Sequence, residues 1–203
     1  MADGVRVLVT DIGSVLFKFD PEHRFELLAA RTGLQRGDLE RLLFDSGFET
    51  RCEAGEFAPD QIRDQVAEMT GFDGTTEELS ELWTSAFTLD EAVLTCLTDT
   101  NLTLAIFSNN GPLFADYFDT RFPEVAGWFR HRFFACRLGA RKPEQAAFEV
   151  VEDRLGESVG VEPRQLLLID DSRKNTAAAA QRGWQVHTFT DASALPHLVA
   201  ATK

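Results

Sequence analysis

Five short apolar segments, at 5–10, 102–107, 133–137, 166–169 and 186–189, constrain this 203-residue chain more than any other feature. Each is too short for a buried helix and reads as a buried strand. The last four each follow a stretch of helical pattern. That alternation builds βαβ units and a right-handed, doubly wound parallel sheet, so the expected fold class is α/β. In "KPEQAAFEVVEDRLG", Pro143 suits a first helical turn, Ala147, Val150 and Val151 make an apolar stripe, and Gly156 suits a C-cap. "DSRKNTAAAAQRG" reads as a second helix, with Asp171 or Ser172 at its start and Gly183 just past its end.

The interval between the first two strands breaks this rhythm. From Asp20 to Leu89 the patterns are helical only. "PEHRFELLAARTG" and "PDQIRDQVAEMTG" open on proline and close on glycine, and "TTEELSELWTSAF" offers a capping box from Thr75 to Glu78. The expected organisation is a core of residues 1–19 and 89–203 carrying a helical insertion at 20–88. Open α/β sheets bind ligands beyond the carboxyl ends of their strands, so the insertion would sit over the site as a cap.

Polar residues fall at those strand ends. The first strand delivers Asp11, the second ends in Ser108, Asn109 and Asn110, and the fourth ends in Asp170 and Asp171; Arg141 and Lys142 follow the third. A parallel sheet would gather these ends along one edge. The set suits phosphoryl transfer: carboxylates for Mg2+, donors and a cation for phosphate oxygens, and a carboxylate to attack phosphorus. Singly, each cluster has a plainer reading, as a helix cap, a turn or a solvated lysine. Their joint order on successive strands carries the signal, and two adjacent carboxylates at a strand end call for a cation.

Composition narrows the classes. Hydrophobic residues at 44% and charged residues at 26% are the balance of a globular chain. A net charge of -13 argues against a nucleic-acid partner, which needs clustered Lys and Arg, but not against a small anionic substrate. Cys52, Cys96 and Cys136 form no CxxC pair, and the four histidines lack ligand spacing, so neither a disulfide framework nor a zinc site is expected. With no signal-peptide pattern and no apolar run long enough to span a membrane, a cytoplasmic location and no membrane partner are expected. The expected partner is a small phosphorylated metabolite; the oligomeric state is not legible.

The four clusters, in this order, resemble the four motifs of the haloacid dehalogenase-like (HAD) superfamily, which consists mostly of Mg2+-dependent phosphatases. "VLVTDIGSVL" is similar to the first motif and "LAIFSNN" to the second; "GARKPE" carries the third motif's lysine, and "LLLIDDSRKNTAAAAQRGW" resembles the fourth. The insertion stands where the family places its C1 cap. "DIGSVLFKFD", "EAGEFAPDQI" and "SNN" look most like the subgroup holding alpha-D-glucose-1-phosphate phosphatase and the phosphatase domain of soluble epoxide hydrolases. The resemblance implies a Rossmann-like core and hydrolysis of a small phosphate monoester, with sugar phosphates as the leading class, through an aspartyl-phosphate on Asp11. It implies Mg2+ held by Asp11, the backbone carbonyl of Gly13, Asp170 and Asp171. Ser108 and the Asn109 N–H would bind phosphate oxygens, Lys142 would neutralise the nucleophile–phosphate cluster, and Asn175 would orient the Asp171 loop.

The chain departs from the family at Gly13, where the usual DxDx[TV] motif has a second aspartate that protonates the leaving group and later activates water. General acid–base catalysis typically contributes about 10²–10⁴-fold, so the departure matters. Three readings follow. The first is a phosphatase with a good leaving group, or with water or a residue of the insertion (Glu53, Glu56 or His23) as proton donor. The second is a 2-haloacid dehalogenase, whose halide leaves without a proton; that branch needs no Mg2+ and carries a tyrosine at this position. The third is a non-catalytic phosphate-binding or regulatory protein, which the intact Asp11, Ser108, Lys142 and Asp170-Asp171 set disfavours. The insertion's aromatics (Phe25, Phe44, Phe48, Phe57, Phe72, Trp83 and Phe87) are expected to form its own core more than to line a pocket.

Overall fold

A computed structural model describes residues 4–201; the outermost residues of the expected core, 1–3 and 202–203, lie outside the described residues. The chain begins with β1 (Val7–Thr10) and β2 (Phe17–Phe19). It then runs through α1 (Pro21–Thr32), α2 (Arg36–Glu40), α3 (Phe48–Glu53), α4 (Pro59–Thr70) and α5 (Thr76–Thr84), and returns through β3 (Phe87–Leu89). It continues as α6 (Glu91–Thr98), β4 (Thr103–Ser108), α7 (Pro112–Arg121), α8 (Pro123–Ala126), β5 (His131–Phe134) and α9 (Gln145–Val159). The last elements are β6 (Leu166–Asp170), α10 (Arg173–Gln181), β7 (Gln185–Thr188) and α11 (Leu195–Ala201).

Five strands form one parallel sheet in the order β5-β4-β1-β6-β7. Successive residues of a strand face opposite sides, and both sides of β1, β4 and β6 are buried here, which explains their apolar runs without polar alternation. Leu8, Ile106 and Ile169 pack against Phe114, Phe118 and Phe134 on one face. Val9, Phe107 and Leu168 pack against Phe148, Val151 and Trp184 on the other. The chain builds outward from β1 to β4 and β5, then crosses to β6 and β7. The switch point therefore falls at the carboxyl end of β1, where open α/β sheets form crevices.

In the core, β5 and α9 differ most from the sequence expectation. The third core strand ends at Phe134 and residues Ala135–Arg137 form a 3-10 turn, because Phe134 pairs with Ser108, the last residue of β4. Helix α9 begins two residues after Pro143, runs through Gly156 and ends at Gly160, which at a φ of 69° adopts the left-handed conformation that glycine tolerates. The apolar stripe of Ala147, Phe148 and Val151 extends to Leu155. Burying that leucine is worth about 1.5–3 kcal/mol, more than the roughly 1 kcal/mol cost of a mid-helix glycine.

Within the insertion, Asp20 caps α1 by accepting from the N–H groups of Glu22 and His23, and Gly33 ends the helix. Thr75 and Glu78 form the expected reciprocal cap of α5, at 3.1 and 2.7 Å. The helices share an apolar core of Phe25, Leu28, Leu43, Ile62, Val66 and Trp83, joined from α7 by Leu113. The chain leaves and re-enters the sheet domain through β2 and β3, an antiparallel pair that places Phe17 opposite Leu89 and Phe19 opposite Phe87. β3 falls in the stretch expected to hold no strand; three residues are too few to show a period-two pattern.

Candidate active site

Asp11 is delivered by the central strand. Its N–H donates to Ile169 O at 2.9 Å, continuing the β1–β6 pairing, while its Oδ1 accepts from the N–H of Ile12 at 2.7 Å. Beyond it the loop turns sharply, and Ser14 adopts a φ of 60°, a left-handed conformation rare outside glycine. Gly13 itself is not there for lack of space. A Cβ at this position would meet the Phe87 ring at 3.6 Å, an ordinary contact.

Lys142 lies behind Asp11 with its side chain fully buried. Its Nζ is 3.1 Å from Asp11 Oδ2 and 2.6 Å from Asp170 Oδ2, and donates to Phe107 O at 2.7 Å. Asp170, also fully buried, accepts from Asn175 Nδ2 on both oxygens, at 3.0 and 3.1 Å, and from the Ser172 N–H at 2.8 Å. Asn175 thus reaches Asp170 directly rather than Asp171. Asn109 uses its side-chain amide to grip the Lys142 backbone, accepting from its N–H and donating to its carbonyl, both at 2.9 Å. The second and third motif loops are tied together by that amide. Asp171 is exposed at the rim, yet carboxylate oxygens of Asp11, Asp170 and Asp171 all lie within 4.8 Å of one another.

Crowded carboxylates away from water hold their protons. Burial pushes the Asp11 carboxyl up to about 6; Lys142 opposes that shift and Asp170 reinforces it. Asp171, partly enclosed although exposed at the rim, is raised by loss of hydration and by Asp170. For Lys142 burial would favour the neutral amine, but Asp11 and Asp170 outweigh it and the ammonium is retained.

A cavity of about 420 Å³ opens in front of this cluster, floored by Asp11, Gly13, Ser108 and Asn109. That volume accommodates a small metabolite. The insertion supplies the opposite wall, including Arg24, Phe25, Phe44, Glu49 and Glu53. Of the aromatics expected to pack internally, Phe48, Phe72 and Trp83 are buried, whereas Phe25, Phe44 and Phe87 also line the cavity. The three candidate proton donors of the insertion separate. Glu53 lines the cavity and pairs with Arg141 at 2.6 Å. Glu56 pairs with Arg51 at the surface, and His23 is exposed and outside the lining.

Sequence reasoning did not single out Arg24. It is 1% exposed, donates to Glu49 Oε1 at 2.8 Å and lies 4.6 Å from the centroid of Trp83. The only clue was its place four residues before Leu28, on the apolar face of α1.

No protein-family model matches the sequence, and no curated protein matches it. Among solved structures the chain is similar to the HAD family enzyme BT-2542 from Bacteroides thetaiotaomicron, with a TM-score of 0.79 and 22% identity over 96% of this chain and 98% of that one. The same enzyme in complex with magnesium and inorganic phosphate matches with a TM-score of 0.77 and 22% identity, over 96% and 99% of the two chains. A predicted HAD-like family hydrolase from Porphyromonas gingivalis matches with a TM-score of 0.77 and 20% identity over 97% of each chain. L-2-haloacid dehalogenase from Xanthobacter autotrophicus, with chloropropionic acid covalently bound, matches with a TM-score of 0.62 and 17% identity over 98% and 84%. At these identities the likeness establishes the fold: a HAD-like α/β fold with a parallel five-stranded sheet.

Proposed function

We propose that this protein is a HAD-like hydrolase and, more specifically, a Mg2+-dependent phosphatase of small phosphate monoesters that works through an aspartyl-phosphate on Asp11. The observation that carries this reading is the convergence of Asp11, Asp170, Asp171 and Lys142 at the carboxyl end of the central strand, beneath a cavity of metabolite size. Three carboxylates share one ammonium there, so the cluster keeps an excess of negative charge. Hard oxygen donors with such an excess suit Mg2+. Asp11, Asp170, Asp171 and the Gly13 carbonyl would hold the ion, which when bound neutralises phosphoryl charge as a Lewis acid. The neighbour crystallised with magnesium and inorganic phosphate lends this assignment support by analogy of fold.

The chain's own groups divide the remaining work. Asp11 presents its carboxylate to the cavity, held by Ile12 N–H and Lys142, and attacks phosphorus. Ser108 and the Asn109 N–H accommodate phosphate oxygens, and Lys142 keeps its proton and offsets the charge of the phosphorylated aspartate. A 2-haloacid dehalogenase would need no metal and would leave the crowding of three carboxylates unrelieved. Sugar phosphates are the substrate class the subgroup resemblance favours.

The test is phosphate release from p-nitrophenyl phosphate. Release should require Mg2+, stop with EDTA and fall by about 10³-fold or more in Asp11→Asn. Turnover surviving either change, or metal-free halide release from 2-chloropropionate, would refute the phosphatase reading.

A further inference from the structure

We propose that Glu53 is the general acid and base of this site, supplying from α3 the function that position 13 lacks; the inference rests on the phosphatase reading above. Besides Asp11, four carboxylates line the cavity: Glu22, Glu40, Glu49 and Glu53. Glu22 and Glu40 lie beside Arg36, toward the outer end, and Glu49 is engaged by the buried Arg24. Glu53 is the one tied to Arg141, the residue before Lys142, and Lys142 in turn reaches Asp11.

Its position is built into the backbone. Gly55 follows two residues later with a φ of 79°, and a Cβ there would stand 2.3 Å from Cys136 O. From the other side, a Cβ on Gly111 would meet Cys52 at 3.3 Å. Two glycines thus let the end of α3 press onto the loops that follow β4 and β5, with no side chain between. Arg141 then fixes the carboxylate: its Nη2 donates to Glu53 Oε2 at 2.6 Å. Glu53 Oε1 makes no hydrogen bond among the described residues, so one oxygen remains available to a substrate. The side chain is 19% exposed, open to the cavity but largely out of bulk water.

The surroundings favour a proton carrier. Burial, then Glu49, push the Glu53 carboxyl up to about 7, with Asp11 adding to the rise and Arg141 opposing it. The thiols of Cys52 and Cys136 beside it are driven up by burial, to about 12 and about 11, and stay neutral. Arg51, on the same helix, is taken by Glu56. Near neutral pH Glu53 is therefore divided between acid and base forms, the poise that acid–base catalysis requires.

The cycle balances. As an Asp11 oxygen bonds to phosphorus and the ester P–O bond breaks, the proton on Glu53 passes to the departing oxygen, giving an alcohol and a Glu53 carboxylate. Water then attacks the phosphorus of the aspartyl-phosphate and gives one proton to Glu53 as the bond from phosphorus to the Asp11 oxygen breaks. Phosphate leaves, and both carboxyl groups return to their starting state.

Leaving-group dependence tests this, using kcat/KM with saturating Mg2+ for p-nitrophenyl phosphate and a series of alkyl phosphates. Glu53→Gln should lose about 10²–10⁴-fold on alkyl esters, whose leaving oxygen needs a proton, and less than about 10-fold on the nitrophenyl ester. The wild-type pH profile should show an alkaline fall near neutrality for alkyl esters, absent for the nitrophenyl ester and abolished in Glu53→Gln. The wild-type comparison stands even if the variant does not fold. A uniform loss across the series, or coincident wild-type profiles for the two ester classes, would overturn the role of Glu53 while leaving the phosphatase reading intact. A wild-type protein that hydrolyses no ester with Mg2+ would overturn both.

Discussion

Lys142 stands between Asp11 and Asp170 with its charge fully buried, and Lys142 and Asp170 both bear on the ionisation of Asp11. The Asp11 carboxyl, at about 6 against an ordinary 3.8, binds a proton more readily folded than unfolded. Its contribution to stability is therefore complete below the ordinary value and is lost as pH rises through 6; Glu53, at about 7 against 4.5, acts in the same direction. With EDTA present, the thermal midpoint should fall between about pH 5 and about pH 8, and Mg2+ should raise it more at the alkaline end. Asp11→Asn should flatten part of the fall and reduce the Mg2+ effect. A midpoint with the same pH dependence in wild type and Asp11→Asn would contradict the assignment of that shift to Asp11.

At the scale of elements, glycines with nearly the same backbone angle differ in what they do. Gly33 ends α1 at a φ of 73°, and a Cβ added there would meet nothing within 4 Å, whereas Gly55, at 79°, abuts Cys136. Gly33→Ala should cost about 1–2 kcal/mol, the ordinary left-handed penalty, and spare turnover. Gly55→Ala should cost more and also lower kcat/KM, because α3 must lift away from the core; urea midpoints and turnover of both variants check this. The sequence marked Gly33 as a helix end but gave no sign of Gly55, since its role is a tertiary contact. The same division runs through the fold. The core strands, the helix opening on Pro21, the cap at Thr75 and the helix starting at Asp171 or Ser172 were legible because they depend on local pattern. The β2–β3 pair, the true end of α9 and the Glu53–Arg141 ion pair were not, because each is set by what packs against it. Likewise the residues of the candidate site could be named from strand ends, but not the grip of Asn109 on Lys142 or of Asn175 on Asp170.

For the whole molecule, charge bears on substrate choice. The chain carries a net charge of -13, and the cavity lining presents, besides Asp11, four carboxylates and only two guanidinium groups, those of Arg24 and Arg36. Both guanidinium groups are paired with glutamates. A leaving group with a second anionic group should therefore be disfavoured: glycerol 3-phosphate should exceed 3-phosphoglycerate in kcat/KM by about 10-fold or more, and a reversed order would show that Arg24 or Arg36 is free to bind an anion. No helix among the described residues is long and apolar enough to cross a membrane. The account as a whole depends on Asp11 becoming phosphorylated. Acid quenching during turnover of p-nitrophenyl phosphate with Mg2+, followed by peptide mass spectrometry, measures that directly. The account predicts one phosphoryl group on Asp11; turnover with no phosphorylated peptide, or with the phosphoryl group on another residue, would contradict it.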